Sequence, residues 1–387
     1  MPEAVIVATS RSPIGRAFKG SLVNQRIDDL GGFIINDLMQ KAGVDGAEVD
    51  DVIMGAANHG GEQGYNFARS VAMLAGLPDT VPGTSVNRFC ASSLQSIRMA
   101  FHAIKCGEGD TYVAGGLESV SRTSGGQINK GDFNPRFLDK SRSDFINEMY
   151  IPMGMTAENV ADKYGVSRER MDEFAALSQQ RAVAAQENGF FEREITPVTL
   201  EDGTVVSKDD GPRPGTTAEK LAQLKPAFRE DGRVTAGNAC PLNDGAAAVL
   251  VMSEEKAAAL GLKPLARIIA SAVSGLAPEI MGVGPIEAVT KVLDQAKMKI
   301  TDIDVVELNE AFAAQVIPVC DELGIDIDTQ LNPHGGAIAL GHPFGMTGAR
   351  IMTTLINDLQ TLDKTYGLET MCVGGGQGMA MIIERLS

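Results

Sequence analysis

Cys90 is the residue of this chain best suited to act as a nucleophile. It stands in the segment Val-Asn-Arg-Phe-Cys-Ala-Ser-Ser, and apolar residues follow at helical spacing at Leu94, Ile97, Phe101 and Ile104. This spacing predicts a helix that begins almost at the cysteine. The positive end of the helix dipole would favour a thiolate there, and free backbone N–H groups could bind an oxyanion. The alternative is a structural cysteine buried in the core.

His342 is the candidate base. It lies between a glycine and a proline in Gly-His-Pro-Phe-Gly, near the end of a glycine-rich segment that is a poor setting for a core residue. Imidazole can take a thiol proton near neutral pH, and glycines let the backbone approach a ligand closely. A plain turn is the alternative. His334, in the same segment, is either functional or a packing residue, whereas His59 and His102 are expected to be structural.

Two further segments place reactive groups near predicted strand ends. Asn309 and Glu310 follow a strand-like run, and ligand chemistry in α/β proteins usually lies at the carboxyl ends of strands. Asn309 could instead cap the following helix. Cys372 precedes Val-Gly-Gly-Gly-Gln-Gly, where a second thiol could act as a general acid or base on carbon. A phosphate-binding P-loop is disfavoured, because no Lys-Ser or Lys-Thr follows the glycines.

The elements that must position these residues repeat along the chain. Four pairs of segments match in the same order: 4–13 with 266–275, 51–55 with 304–308, 86–90 with 331–335, and 112–116 with 372–376. The preserved order indicates two related α/β halves, 1–119 and 266–387, the first completed by about 243–265. Apolar runs without strict alternation predict strands that are buried on both faces.

The segment between the halves, 120–242, has a different composition. Residues 120–153 form a long loop rich in Ser, Gly, Asn and Asp, which is typical of a functional region. A helix is predicted from near Thr156, and another after Ser167 as its N-cap. Basic residues then concentrate at Lys208, Arg213, Lys220, Lys225, Arg229 and Arg233. This concentration suits an anionic ligand, with a solvated charged surface as the alternative.

The composition excludes several classes of partner. A formal charge of −16 argues against a nucleic-acid or anionic-membrane partner, since both require a basic face. The apolar runs are shorter than the ~20 residues of a membrane-spanning helix. The N-terminus lacks the features of a leader peptide, so a cytoplasmic location is expected. Five scattered cysteines and four histidines match no metal-site spacing, so we expect reduced thiols and no metal.

Together these segments resemble the thiolase family. Val-Asn-Arg-Phe-Cys-Ala-Ser-Ser is similar to the family's nucleophile segment, and Asn-Glu-Ala-Phe-Ala-Ala-Gln to its Asn motif. Gly-His-Pro-Phe-Gly and Cys-Val-Gly-Gly-Gly-Gln-Gly are similar to its His motif and its second Cys motif. The resemblance covers essentially the whole chain. It implies an α/β fold of five layers, α-β-α-β-α, built from two related halves, with an inserted loop domain, 120–242, that binds coenzyme A.

The resemblance also implies a mechanism. His342 would deprotonate Cys90, whose thiolate takes the acyl group of a thioester, while the backbone N–H groups of Cys90 and Gly374 hold the thioester oxygen. Cys372 would move the proton on carbon, and His342, with a water held by Asn309, would stabilise an enolate. Coenzyme A would be a cosubstrate, with no bound cofactor. Positions that match the family's coenzyme A and acyl contacts are Arg213 near the adenine, and Met153, Phe228, Ala236, Cys240 and Phe312 along the pantetheine or acyl channel.

Three departures from the biosynthetic members bear on the substrate. Ala-Ser-Ser follows the nucleophile, Cys240 replaces a serine that contacts the pantetheine, and Pro152 replaces a histidine. The nucleophile segment and Arg-Pro-Gly-Thr-Thr look more like degradative 3-ketoacyl-CoA thiolases, which favours fatty-acid β-oxidation. The alternatives are a short-chain acetoacetyl-CoA thiolase, a carrier-protein synthase and a non-catalytic acyl-CoA carrier. A homodimer or homotetramer is expected. The length of the acyl chain, the physiological direction of the reaction and any β-oxidation partner subunit stay open.

Overall fold

The computed structural model describes residues 2–123, 130–142, 145–146 and 148–387. Its strands are β1 (Ala4–Arg11), β2 (Gly15–Arg16), β3 (Asp51–Gly55), β4 (Gly83–Val86), β5 (Thr111–Ser119), β6 (Val198–Thr199), β7 (Val205–Val206), β8 (Asn243–Ser253), β9 (Ala266–Gly275), β10 (Val305–Leu308), β11 (Tyr366–Val373) and β12 (Gln377–Arg385). Its α-helices are α1 (Ile27–Ala42), α2 (Phe67–Leu74), α3 (Ser92–Cys106), α4 (Met153–Tyr164), α5 (Arg168–Glu187), α6 (Ala218–Leu221), α7 (Glu254–Ala259), α8 (Gly284–Ala296), α9 (Ala313–Leu323), α10 (Ala337–Leu340) and α11 (Thr347–Thr361).

The main sheet contains the same strand arrangement twice. Its order is β10-β11-β12-β9-β1-β8-β5-β3-β4, with β2 paired to β8. In the first half β1, β8 and β5 pair antiparallel and β5 pairs parallel with β3. In the second half β9, β12 and β11 pair antiparallel and β11 pairs parallel with β10. The two related halves are thus confirmed, and β1 and β9 join them through two residue pairs; the predicted domain borders stay predictions.

Alternate faces of the strands build three apolar layers. Val249 of β8 faces a central cluster that contains α3 and α11, while its neighbour Leu250 faces an outer cluster with α1 and α2. In the same way Met381 of β12 faces the central cluster and Ile382 faces a second outer cluster with α8 and α9. Strands buried on both faces therefore separate three helical layers, which gives the five predicted layers.

One of the predicted repeat matches is out of register. Asp51 pairs with Tyr112 on the neighbouring parallel strand, and Asp304 is hydrogen-bonded to Tyr366 in the same arrangement. Tyr112 is therefore equivalent to Tyr366 and not, as predicted, to Cys372. The error arose because both segments contain adjacent glycines, and a glycine pair alone does not determine the register of a strand.

The inserted segment packs against both halves through its own helices. Helix α5 begins at the predicted N-cap, where the Ser167 hydroxyl accepts a hydrogen bond from the backbone N–H of Arg170. The short strands β6 and β7 pair with each other. Part of the predicted 120–153 loop, 124–129, 143–144 and 147, lies outside the described residues.

A buried ion-pair cluster fixes the insert to β1. The Arg11 guanidinium is fully buried and donates to Glu194 at 2.8 Å and to Asp209 at 2.9 Å. Both carboxylates belong to the inserted segment, whereas Arg11 closes the first strand of the N-terminal half. Three charges taken out of water are tolerated here because each finds an opposite charge and hydrogen bonds.

Candidate active site

Cys90 lies in a tight turn directly before α3. Phe89 has the unusual φ of 45°, and residues Phe89–Ala91 form a 3₁₀ turn. The Ser92 hydroxyl holds this turn, since it donates to the Phe89 carbonyl at 2.7 Å and accepts from the Arg88 N–H at 3.0 Å. The predicted helix is present, but it begins at Ser92, so that the Cys90 thiol lies ahead of it.

Burial opposes the effect that the helix terminus is predicted to have on Cys90. The thiol is partly exposed, and the pKa of Cys90 is raised above its usual value, by burial first and then by the nearby thiols of Cys372 and Cys240. Backbone N–H groups of Gly374 and Cys90 act on the thiol in the opposite sense, but burial outweighs them. Cys90 therefore needs a base to become a nucleophile.

A side-chain bridge ties the Cys90 turn to the glycine loop after Cys372. Arg88 donates to the Gln377 amide oxygen at 2.9 Å, and the Gln377 amide nitrogen donates to the Gly374 carbonyl at 3.0 Å. The bridge holds the Gly374 backbone against the thiol of the other half. A thiol that receives backbone N–H groups from two loops lies where a thioester oxygen could be held as negative charge develops on it.

The hydrogen bonds of His342 define its tautomer. Its Nδ1 is 2.6 Å from the Thr347 hydroxyl, and this hydroxyl donates to the Pro343 carbonyl at 2.8 Å. A hydroxyl has one hydrogen, so Nδ1 must be the donor to Thr347, and Nε2 is left without a proton. Burial, reinforced by the charge of Arg350, lowers the pKa of His342 to about 3, so the ring is neutral. Nε2 is thus available to accept a proton.

The loop that carries His342 is held by two strands of the first half of the sheet, β8 and β5. Its backbone N–H donates to the Asn243 side-chain oxygen at 2.9 Å, and the N–H of Gly345 donates to Glu118 at 2.9 Å. Glu118 is buried at the end of β5 and also accepts from the backbone N–H of Ala57 and Asn58. A side chain at Gly345 would collide with the backbone of β5, which explains a glycine there.

Asn309 faces His342 and does not cap the next helix. Its amide nitrogen is 3.3 Å from His342 Nε2, and its amide oxygen is buried without a hydrogen-bond partner among the described residues. The N-cap of α9 is Phe312 instead. The neighbouring Glu310 is buried and accepts hydrogen bonds from Ser178 at 2.6 Å and Asn332 at 2.8 Å, so it links the loop to the insert.

Cys372 is fully buried at the end of β11. Burial raises the pKa of Cys372 to about 11, although the Gln315 amide donates to its sulfur at 2.8 Å and acts in the opposite sense. Cys240 is the third thiol of the site, and burial followed by the proximity of Cys372 raises the pKa of Cys240 to about 12. The structure therefore brings the thiols of Cys90, Cys240 and Cys372 close to one another. It sets Asn309 against His342, whose loop leads into α11 beside the Cys90 turn.

Two of the predicted coenzyme A contacts line a common cavity, and two others pack against each other. Arg213 and Ala236 line the same cavity, and Arg213 also lines an adjoining one of about 220 Å³. Phe228 packs edge-on against Phe312, with ring centres 6.1 Å apart. Met153, partly buried, begins α4 on the same side. Among the described residues, the Arg213 guanidinium has no carboxylate partner.

The basic concentration in 201–233 is only partly available to a ligand. Arg229 and Arg233 pair with Asp162 of α4, and Arg229 also pairs with Asp231. These two arginines hold the insert together, whereas the other basic residues of this segment have no carboxylate partner among the described residues: Lys208, Arg213, Lys220 and Lys225. The sequence pattern alone did not distinguish the two roles.

His334 is a packing residue of the fold. Its ring stacks on Phe190 with centres 3.6 Å apart, and Nδ1 lies 2.5 Å from Asp358. Burial lowers the pKa of His334 to about 4. His59 also has a structural role, since it packs edge-on against Phe67.

The sequence analysis missed several residues that position the site: Gln315, Thr347, Asn243, Glu118, Arg88 and Gln377. Each is polar and buried or partly buried. Gln315 closes the Asn motif and Thr347 lies five residues after His342, so their places beside these motifs were an available signal. The others had no local signal, because their partners are far away in sequence.

Comparisons with known proteins agree with this arrangement. Residues 4–255 match the family model "Thiolase, N-terminal domain" and residues 262–385 match "Thiolase, C-terminal domain". The chain belongs to the thiolase family. This thiolase is 47% identical to a 3-ketoacyl-CoA thiolase of Bacillus subtilis, over 99% of the chain and 100% of the relative. It is also 47% identical to a beta-ketoadipyl-CoA thiolase of Acinetobacter baylyi, over the full length of both.

A solved structure shows the same fold. The crystal structure of the Bacillus anthracis acetyl-CoA acetyltransferase superposes with a TM-score of 0.91 at 41% identity, covering 100% of this thiolase and 99% of that chain. The protein is thus an enzyme, an acyltransferase with coenzyme A as cosubstrate. Within the described residues there is no group of His, Cys, Asp and Glu that could hold a metal ion, and no helix suited to cross a membrane.

Proposed function

We propose that this thiolase cleaves 3-ketoacyl-CoA into acetyl-CoA and a shortened acyl-CoA, and runs the reverse condensation, through an acyl group carried on Cys90. One observation carries the proposal. The raised pKa of the Cys90 thiol makes a base necessary, and His342 offers an Nε2 without a proton in the same site.

In the first half of the reaction Nε2 of His342 takes the thiol proton, and the Cys90 sulfur bonds to the 3-keto carbon. The N–H groups of Cys90 and Gly374 stabilise the oxyanion, supported by their present contact with the thiol. The bond between C2 and C3 then breaks, and its electrons form the enolate of acetyl-CoA. Cys372 gives its proton to C2 and becomes a thiolate.

The enolate oxygen requires its own stabilisation while C2 is being protonated. His342, protonated at Nε2 after the first step, can donate to this oxygen, and a water held by the unpartnered Asn309 oxygen can do the same. In the second half coenzyme A attacks the acyl group on Cys90 and releases the shortened acyl-CoA. Before this attack the Cys372 thiolate takes the proton that His342 carries, so that His342 is neutral again. His342 then takes the thiol proton of coenzyme A and gives it to the Cys90 sulfur as the bond from that sulfur to the acyl carbon breaks.

We place coenzyme A in the groove of the inserted domain, 120–242, with Arg213 near its adenine end. The unpaired guanidinium and the cavity beside it support this placement. Phe228, Phe312, Met153, Ala236 and Cys240 would line the channel from there to Cys90. The pair of buried Phe312 and exposed Phe228 provides the apolar wall that a pantetheine arm needs.

For the substrate class we favour the degradative direction and fatty-acid β-oxidation, on the basis of the nucleophile segment, Cys240 and Pro152. A short-chain acetoacetyl-CoA thiolase is the second candidate, favoured by the 45% identity to an acetyl-CoA acetyltransferase of Pseudomonas aeruginosa. A dicarboxylic substrate is the third candidate. The Acinetobacter baylyi relative, which is as similar to this thiolase as the Bacillus subtilis 3-ketoacyl-CoA thiolase is, is named for beta-ketoadipyl-CoA.

A homodimer or homotetramer in the cytoplasm is part of the same proposal. Strand β4 lies at the edge of the main sheet with one side unpaired, and natural proteins usually cover such an edge. Light scattering coupled to size-exclusion chromatography measures the oligomeric state directly, and a monomer would contradict this part.

Thiolysis of acetoacetyl-CoA, a long-chain 3-ketoacyl-CoA and beta-ketoadipyl-CoA by wild type and Cys90→Ala tests the activity. We expect cleavage in wild type, loss to background in the variant, and an added acyl mass on the peptide that contains Cys90. Cys106→Ala is the matched control, because Cys106 is an exposed cysteine at the far end of the same helix. The rates with the three substrates rank the substrate classes. Wild type that cleaves none of them would overturn the proposal.

A further inference from the structure

Gln315 is a buried polar residue that contacts a reactive group of the site. It lies in the first turn of α9 and is 1% exposed. Its amide nitrogen donates to the Cys372 sulfur at 2.8 Å, a short distance for a bond to sulfur. The amide oxygen is buried and has no partner among the described residues. The orientation of the amide therefore depends on the sulfur.

Cys372 has little other help in carrying a negative charge. The titratable groups that face it are the thiols of Cys90 and Cys240, which oppose a second charge in the site. Glu369 of the same strand lies an odd number of residues away and so points to the opposite face of the sheet. There it meets the charge of Arg350, so neither group compensates a thiolate at Cys372.

We propose that Gln315 is a positioning residue that holds the Cys372 sulfur and stabilises its thiolate, and so sets the rate of proton transfer at carbon without affecting acyl transfer to Cys90. This rests on the proposed function, in which Cys372 gains and loses a proton in each turnover. Because a neutral donor favours the charged form of its acceptor, removing the donor makes the thiolate rarer and proton abstraction slower.

Two exchange reactions of acetyl-CoA separate these steps. Exchange of the acetyl group between acetyl-CoA and isotopically labelled coenzyme A requires Cys90 and His342 only. Exchange of the methyl hydrogens of acetyl-CoA for deuterium in D₂O also requires Cys372, whose thiolate takes a proton from the methyl carbon and returns a deuteron. Both are measured on the same protein, by mass spectrometry and by proton NMR.

Gln315→Met keeps the length of the side chain and removes the donor. Since hydrogen bonds to charged groups are typically strong, we expect methyl exchange to fall by about tenfold or more and its pH profile to move by about one unit to higher pH. The rate of acetyl exchange should stay within about twofold of wild type, a change of only about 0.4 kcal/mol. Gln360→Met is the control, because Gln360 is a partly buried, hydrogen-bonded residue near the end of α11.

Gln315→Glu keeps the size and polarity but offers only an acceptor when ionised. We expect methyl exchange to fall at least as far as in Gln315→Met, whether or not that variant folds well. Retained methyl exchange in folded Gln315→Met, or in Gln315→Glu at a pH at which its carboxyl is ionised, would overturn the proposal, because the sulfur would then need no donor. A parallel loss of both exchanges in folded Gln315→Met, without a shift of the pH profile, would also overturn it. Wild type that catalyses neither exchange would refute the proposed function itself.

Discussion

The hydroxyl of Thr347 should control the catalytic competence of His342. Thr347→Val keeps the shape of the side chain but removes the only hydrogen-bond acceptor that the structure gives the Nδ1–H. Thr347 and His342 are both buried, so the Nδ1–H would be left without a partner in a dry site. The alternative tautomer, with its proton on Nε2, then becomes competitive, and it cannot take a proton from Cys90.

The magnitude follows from the cost of that lost partner. A buried donor without an acceptor costs about 1–3 kcal/mol, which corresponds to roughly a 5- to 150-fold change in the population of the active tautomer. We expect the rate of Cys90 acetylation by acetyl-CoA, measured by rapid quench and mass spectrometry, to fall within that range. Thr347→Ser keeps the hydroxyl and should stay within about threefold of wild type, since it loses a single methyl group.

The comparison of the two variants decides the outcome. Equal acetylation rates in Thr347→Val and Thr347→Ser would refute the assignment of the tautomer. If Thr347→Val loses rate and its unfolding temperature also falls strongly, the loss is attributed to the fold. The rate and the unfolding temperature of Thr347→Ser, which also changes the packing at this position, are then the reference. Only a slow but well-folded valine variant supports the reasoning.

Two further predictions concern buried charges. Arg11→Met leaves two buried carboxylates without a cation and should lower the free energy of unfolding by about 3–5 kcal/mol. Arg26→Met, at an exposed ion pair, is the control and should lower it by about 1 kcal/mol or less in the same denaturation experiment. Equal losses in the two variants would contradict the prediction for Arg11. The imidazole signals of His334 and His342 in histidine-labelled protein should remain those of neutral rings down to pH 5, because burial lowers their pKa values to about 4 and about 3. Below about pH 6.5 the unfolded chain binds a proton on each of these histidines, whereas the folded protein does not. Each histidine therefore makes the fold about 2 kcal/mol less stable at pH 5 than at pH 6.5. A titration midpoint near pH 6.5 for either ring would contradict this prediction.

The sequence was most informative where chemistry and local structure coincide. Cys90 before a helical pattern, His342 among glycines and Cys372 before a glycine run could all be singled out from their neighbours. The thiolate expected at Cys90 stays a prediction, because burial raises the pKa of the thiol whereas the backbone N–H groups of Gly374 and Cys90 lower it. Burial is a property of the folded chain, and no local pattern predicts it at a turn.

The sequence by itself determined the residue types, the two related halves and the motifs that carry the family resemblance, because these depend on neighbours along the chain. Only the tertiary structure decided how those residues are supported. The Nε2 lone pair of His342 depends on Thr347, the sulfur of Cys372 on Gln315, and the loop of His342 on Glu118. Thr347 lies five residues from His342, whereas the bonds of Gln315 and Glu118 join residues far apart in sequence and form only after the sheet and its helices have packed. The support of the site is therefore in large part a consequence of the fold.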